Sequence, residues 1–283
     1  MDANTTTLSE LFRTGAALLG GRPQALLEAK VLLLRAARLT EERYLAAPDR
    51  PCPPQAEAFF RRLVERRLAG APLAHLAGTR EFWSLPFEVG PSVLVPRPET
   101  EGLVEKVLEL SSREDEDIVD VGTGSGCIAV ALARELPRAR IRAVDVSERA
   151  LRVARRNAAR HKARRIEFLR SDLLSAFRGS GLKFDFIVSN PPYVSRAEWE
   201  VLPADVRDFE PRRALFAGES GLDVIERLVR RSGSFLKPGG YLIFEIGEGQ
   251  RDRVLGLFGR RWTEIETAWD LAGKPRVITA RRA

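Results

Sequence analysis

Apolar residues recur at two different spacings along this chain, and the change between them divides it. Up to about Gly78 the spacing is helical: Leu27, Val31 and Leu34 share one face, and Phe60, Leu63, Val64 and Leu68 share another. Pro23 stands where a first-turn proline is tolerated, and Gly70 with Pro72 supplies a stop. Residues 1–79 therefore read as a small helical-bundle domain with no evident catalytic chemistry, better suited to recognising a substrate. From Glu81 to Val95 the residues turn β-type (Phe82, Trp83, Phe87, Val89, Val93, Val95), broken by the turn signal Gly90-Pro91. A β-hairpin linker is predicted over residues 80–97. The stiff segment Pro96 to Glu101 then opens a helix through Leu103 and Val107, which the acidic patch Glu114 to Asp117 ends.

Beyond that patch, strand-like and helix-like runs alternate. The strand candidates are Ile118–Val121, Ile141–Val146, Ile166–Leu169, Phe184–Ser189 and Tyr241–Ile246. Helical stretches lie near Ala129–Glu135, Glu148–His161 and Leu222–Phe235. Such alternation implies an α/β fold, a parallel sheet with helices on both faces. Thr263–Trp269 and Val277–Ala280 close the chain as two more strands about the Gly273 turn. Residues 98–283 are expected to form this one domain.

Composition narrows the function classes. At 44% hydrophobic and 30% charged residues the chain is neither disordered nor membrane-spanning, since no run approaches the roughly 18 apolar residues a membrane helix needs. The opening MDANTTTLSELF lacks the basic and apolar regions of a secretory signal, so a cytoplasmic protein is expected. Cys52, Cys127, His75 and His161 are the only cysteines and histidines, too few for a metal centre. The net charge of +7 is spread along the chain, with one dense cluster from Arg149 to Arg170. That cluster reads either as a solvated helix face or as a surface meeting RNA or a ribosome-associated partner.

Candidate chemistry begins where the first strand of the alternation meets its helix. Asp120-Val121-Gly122-Thr123-Gly124-Ser125-Gly126 has glycines that allow a tight turn and close approach to a ligand at a helix N-terminus. The spacing G-x-G-x-G differs from the G-x-G-x-x-G of nicotinamide enzymes. Asp120 beside it would repel a pyrophosphate but could pair with an ammonium or sulfonium group. Asp145 ends the second strand, placed to accept both ribose hydroxyls, and Asp172 follows the third, placed to accept from an adenine amine. Each acid alone could simply cap the next helix. Acids after three successive strands resemble the S-adenosyl-L-methionine site of Rossmann-like methyltransferases, whose antiparallel C-terminal strand pair matches the two closing strands.

At the end of the fourth strand stands Asn190-Pro191-Pro192-Tyr193. Two prolines explain why the strand stops, but not the asparagine before them or the tyrosine after. The Asn190 side-chain carbonyl and the Pro191 backbone carbonyl form two acceptors for one NH2 group, stiffened by the prolines, with Tyr193 against the flat face of the acceptor. A conjugated nitrogen has a delocalised lone pair and attacks a methyl group poorly. Two hydrogen bonds accepted from it raise its electron density and aim the lone pair, and fixed dipoles stabilise the positive charge it gains. Adenine, cytosine and glutamine all present such a planar NH2.

Further residues narrow the choice. Arg80-Glu81-Phe82-Trp83 and Val93 to Glu101 resemble the signature of the HemK/PrmC family, as do Phe209-Glu210-Pro211, Ala214-Leu215-Phe216, Gly218 and Gly221-Leu222. Leu236 to Gly240, Phe244-Glu245-Ile246-Gly247, and Asp270, Gly273 and Arg276 extend the likeness over about residues 75–283. The resemblance implies a protein-glutamine N5-methyltransferase that uses S-adenosyl-L-methionine on the Gly-Gly-Gln glutamine of class I peptide chain release factors, with no stable nucleic-acid partner. It places Gly122 to Gly126, Asp145 and Leu173 at the cofactor, Asn190 at both cofactor and substrate, and Pro191, Pro192 and Tyr193 at the glutamine. Leu173 departs from relatives that carry an aromatic there. The segment Pro96 to Glu101 is expected to line the mouth of the reaction pocket, although Arg97 and Glu99 could instead form a simple salt bridge fixing the linker. The alternatives are a DNA or RNA adenine or cytosine amino-methyltransferase, which would have to extract a base from its stack, and a cofactor sensor without turnover.

Overall fold

The computed structural model describes residues 6–113 and 115–283, so Glu114 of the acidic patch and the first five residues of the opening lie outside it. The chain divides into two compact units, one of residues up to Gly78 together with Ala204–Phe209, the other of Thr79–Pro203 and Glu210–Ala283. The first holds α1 (Leu8–Leu18), α2 (Ala25–Ala37), α3 (Glu41–Ala46), α4 (Pro54–Leu68) and α5 (Leu73–Ala77). Thr7 and Glu10 form a reciprocal capping box that starts α1. Pro23 precedes the Gln24 cap of α2 instead of occupying its first turn. Leu11, Leu32, Leu33, Phe60 and Val64 make the core, with Phe209 packed against it.

The second unit opens with the hairpin β1 (Thr79–Phe82) and β2 (Leu85–Glu88). Its reversal lies at Trp83-Ser84, both at positive φ (53° and 55°), and not at Gly90-Pro91. Two left-handed residues match the twist of the flanking strands, and long-range bonds hold them there: Trp83 N–H donates to Glu101 at 2.7 Å and its indole to Glu135 at 2.8 Å. Val93 and Val95 belong to no strand. Nor is the hairpin a free-standing linker. Phe82 and Phe87 are buried in one apolar cluster with Ile118, Leu132 and Val188.

A 3-10 turn (Pro98–Thr100) leads into α6 (Glu101–Leu110), and the alternation follows: β3 (Asp117–Val121), α7 (Cys127–Glu135), β4 (Arg140–Asp145), α8 (Glu148–Arg160), β5 (Ile166–Arg170), β6 (Phe184–Ser189), α9 (Arg196–Val201). After α10 (Ala204–Arg207), which belongs to the first unit, come α11 (Asp223–Ser232), β7 (Leu236–Glu245), α12 (Arg251–Leu255), β8 (Trp262–Trp269) and β9 (Pro275–Arg282). The seven strands lie in the order β5-β4-β3-β6-β7-β9-β8, parallel from β5 to β7 and antiparallel beyond. Alternate residues feed opposite faces. Ile118, Phe186, Val188 and Ile243 pack with α6 and α7, while Val119, Val121, Ile187, Leu242 and Phe244 pack with α11. The chain runs outward from β3 through β4 to β5 and returns at β6 on the other side of β3. The resulting switch point opens a crevice at the carboxyl ends of β3 and β6.

Much of the basic stretch is tied down within this unit. Arg156 pairs with Glu88, Arg155 with Glu148, and Arg165 and Arg170 donate to the carbonyls of Pro137 and Val146.

Candidate active site

The crevice holds a cavity of about 350 Å³, within the range of small-molecule sites. Its wall includes Gly122, Thr123, Gly124, Ser125, Asp145, Asp172, Leu173, Asn190, Pro191 and Pro192. Asp120, Gly126 and Tyr193 do not line it. Residues not singled out as ligand-facing also contribute: Ser92 to Leu94, Ser147, Ala150, Arg213 and Arg227. Pro96, Arg97 and Thr100 of the Pro96–Glu101 segment stand in the same wall.

Gly122, Gly124 and Gly126 all have positive φ, which L side chains rarely adopt. At Gly126 a Cβ would also meet the Cβ of Ala154 at 3.0 Å, so the loop presses directly onto α8. Asp145 organises the turn from the next strand. Its Oδ2 accepts from Gly124 N–H at 3.0 Å and its Oδ1 from Ser147 N–H at 2.8 Å. Burial pushes its carboxyl above the ordinary value, against those two donors and the nearby Arg213. The Gly124 N–H that could receive a phosphate is therefore occupied by a carboxylate, and a nucleoside without pyrophosphate suits this donor set. Leu173 holds φ 51° in the cavity wall. Strain of this kind collects at ligand sites.

Two of the acids differ from expectation. Asp120 is fully buried beneath the loop, where its Oδ2 accepts from the Thr123 hydroxyl at 2.6 Å and its Oδ1 has no partner among the described residues. Burial pushes this carboxyl up to about 7. It braces the loop and does not reach the cavity as a counter-charge for an ammonium or sulfonium. Asp172 does face the cavity, but its carboxylate is bonded to Arg227, with Arg231 at 3.8 Å.

Asn190 follows β6 directly, and Ser189 beneath it donates to the Val121 carbonyl at 2.7 Å, joining the two strands of the switch point. The segment after it is clamped. Gln250 donates from Nε2 to the Tyr193 carbonyl at 2.8 Å, and its Oε1 accepts from Gly247 N–H at 2.9 Å. The Tyr193 ring packs into the apolar cluster around Phe244, and its hydroxyl donates to Glu245 Oε1 at 3.1 Å. Tyr193 thus anchors the loop from below, and its ring lies outside the cavity wall. Arg97 pairs with Glu210 at 2.6 Å, not with Glu99, and Glu210 also accepts from Val95 N–H.

Among the described residues no group of three or more His, Cys, Asp or Glu could hold a metal, and no helix is long and apolar enough to cross a membrane.

A doubly wound parallel sheet, an antiparallel closing pair and a glycine loop answered by acids define a Rossmann-like methyltransferase. Residues 100–204 match the family model described as methyltransferase small domain. The hMettl16 catalytic domain, solved in complex with the MAT2A 3'UTR hairpin 6, shares the fold with a TM-score of 0.56 over 77% of this chain and 81% of that one, at 17% identity. Residues 10–78 match the family model described as PrmC N-terminal domain. The release factor glutamine methyltransferase of Koribacter versatilis is 44% identical over 92% of each chain, and that of Moorella thermoacetica 44% identical over 97% of each. The chain belongs to the release factor glutamine methyltransferase family, and its methyl donor is S-adenosyl-L-methionine.

Proposed function

We propose that this enzyme methylates the side-chain amide nitrogen, N5, of the glutamine in the Gly-Gly-Gln motif of class I peptide chain release factors, and that it works in the cytoplasm beside translation. The two cysteines are free and buried, which suits a reducing compartment. The observation that carries the reading is the stiff Asn190-Pro191 pair of acceptors in the wall of a cavity shared with the glycine loop and Asp145.

When bound, S-adenosyl-L-methionine supplies a methyl carbon activated by a sulfonium. Gly122 to Ser125 would give it a close backbone surface, Asp145 would accept the ribose hydroxyls with lone pairs left over from its two N–H donors, and Leu173 would offer an apolar face to the adenine. Asp172, although bonded to Arg227, retains acceptor capacity for the adenine amine. Asn190 Oδ1 and the Pro191 carbonyl, neither of which accepts a hydrogen bond among the described residues, take the two N–H groups of the glutamine carboxamide. Their dipoles raise the electron density on nitrogen, aim its lone pair and stabilise the positive charge that forms there. Orientation contributes as well, since well-aligned reactants reach effective molarities of about 10⁵ M or more. The extra proton leaves easily once nitrogen carries the methyl, so a dedicated base is unnecessary.

The test is mass spectrometry of a purified release factor incubated with enzyme and cofactor. The mass of one added methyl group on the Gly-Gly-Gln peptide is expected; methyl groups found in added nucleic acid, with the factor left unmodified, would sink the proposal.

A further inference from the structure

Beneath the reaction loop lies a chain of polar side chains whose donors all point one way. Asn190 donates from Nδ2 to Thr100 Oγ1 at 2.9 Å, and Thr100 donates from Oγ1 to Glu245 Oε2 at 2.6 Å. Tyr193 donates to the other oxygen of the same carboxylate. Thr100 and Glu245 are each only 2% exposed. They come from separate elements, the 3-10 turn before α6 and the last residue of β7. None of these bonds is needed to terminate a helix or continue a strand.

The chemistry of the donors fixes the direction of the chain. A carboxylate only accepts, and a hydroxyl has one proton to give. Burial pushes the Glu245 carboxyl up, while the hydroxyls of Thr100 and Tyr193 and the charge of Arg276 favour its ionised form. With its single proton committed to Glu245, Thr100 can only accept from Asn190. The Asn190 amide must then turn its NH2 toward Thr100, leaving Oδ1 on its opposite edge. Without Thr100 the amide could rotate by half a turn at little cost and present donors to an incoming NH2 group.

We infer that Thr100 and Glu245 are positioning residues that set which edge of the Asn190 carboxamide faces the acceptor nitrogen. The inference rests on the proposed role of Asn190. It also gives Tyr193 a use consistent with its place outside the cavity, as the second donor that keeps Glu245 an acceptor toward Thr100.

The experiment compares Thr100→Val, Thr100→Ala, Thr100→Ser and Glu245→Gln with Asn190→Ala, all in the full chain. Each is assayed for kcat and KM with a purified release factor and for cofactor affinity by calorimetry. Thr100→Val and Thr100→Ala lack the acceptor and are expected to lower kcat by about 10- to 100-fold, less than the roughly 10²- to 10³-fold loss typical of removing a preorganised group that itself touches the reacting atoms. Cofactor Kd is expected to stay within about twofold of wild type, and Thr100→Ser to recover most of the lost turnover. Glu245→Gln places one donor and one acceptor where two acceptors stood, so a several-fold loss is expected as two arrangements compete. Either Thr100→Val or Thr100→Ala retaining wild-type kcat, with Asn190→Ala inactive, overturns the positioning role and leaves the Asn190 reading intact. An active Asn190→Ala overturns that reading itself. A kcat loss in Thr100→Ser as deep as in Thr100→Val also counts against the inference, because it would trace the effect to packing and not to the hydroxyl.

Discussion

At Asp120 the glycine loop rests on a carboxyl that its surroundings hold close to neutrality. Full burial raises its pKa to about 7, and the Thr123 hydroxyl offsets only part of that. In the unfolded chain the same group titrates near 3.9. Below that value both states are protonated and the group's contribution to stability is fully present. As pH rises toward and through about 7, the unfolded chain has already released its proton while the folded one is forced to, and the contribution is lost. Asp120→Asn removes the titration and keeps an acceptor for Thr123. The difference in melting temperature, variant minus wild type, is therefore expected to grow from pH 5 to pH 8. A difference that stays flat across that range would mean Asp120 is ionised in the fold throughout.

Among the elements, the reaction loop shows how much structure stands behind four residues. Gly221, at φ 75°, passes so close to the loop that a Cβ there would lie 2.5 Å from the Tyr193 carbonyl. Gly221→Ala is expected to destabilise the fold by about 2 kcal/mol, through backbone strain and collision together, and to reduce turnover as the loop shifts. Denaturant unfolding and the methylation assay check the two parts, and unchanged values in both would show that the loop has slack. The same elements show what the sequence could express. β6 runs as Phe184–Ser189 on apolar pattern alone, and the acids and glycines at the carboxyl ends of β3, β4 and β5 are legible because each acid stands within two residues of its strand's end and the glycine loop begins directly after β3. The hairpin reversal is not, since Gly90-Pro91 carries the stronger local punctuation while Trp83-Ser84 is held by Glu101 and Glu135. Local turn chemistry lost to distant hydrogen bonds there. The Thr100–Glu245 contact joins residues 145 positions apart, a pairing no periodicity can announce.

For the whole molecule, every residue lining the reaction cavity comes from the second unit. Cofactor present at about a hundredfold its Kd is expected to stabilise that unit by about 2.7 kcal/mol, by mass action alone. Calorimetric unfolding with and without S-adenosyl-L-methionine measures this, and Asp145→Ala should lose most of the gain at the same concentration, since it removes both the ribose acceptor and the bond that holds Gly124. A full shift in that variant would move cofactor recognition away from Asp145.

The chain crosses from one unit to the other three times, after Gly78, after Pro203 and after Phe209. A chimera spliced only at residue 78 would therefore set foreign helices against this chain's own Ala204–Phe209 segment, because Phe209 packs on the helical core yet is encoded within the catalytic half. Exchange of the N-terminal helices between relatives, whether by recombination or by design, has to carry a six-residue passenger from the far side of the gene.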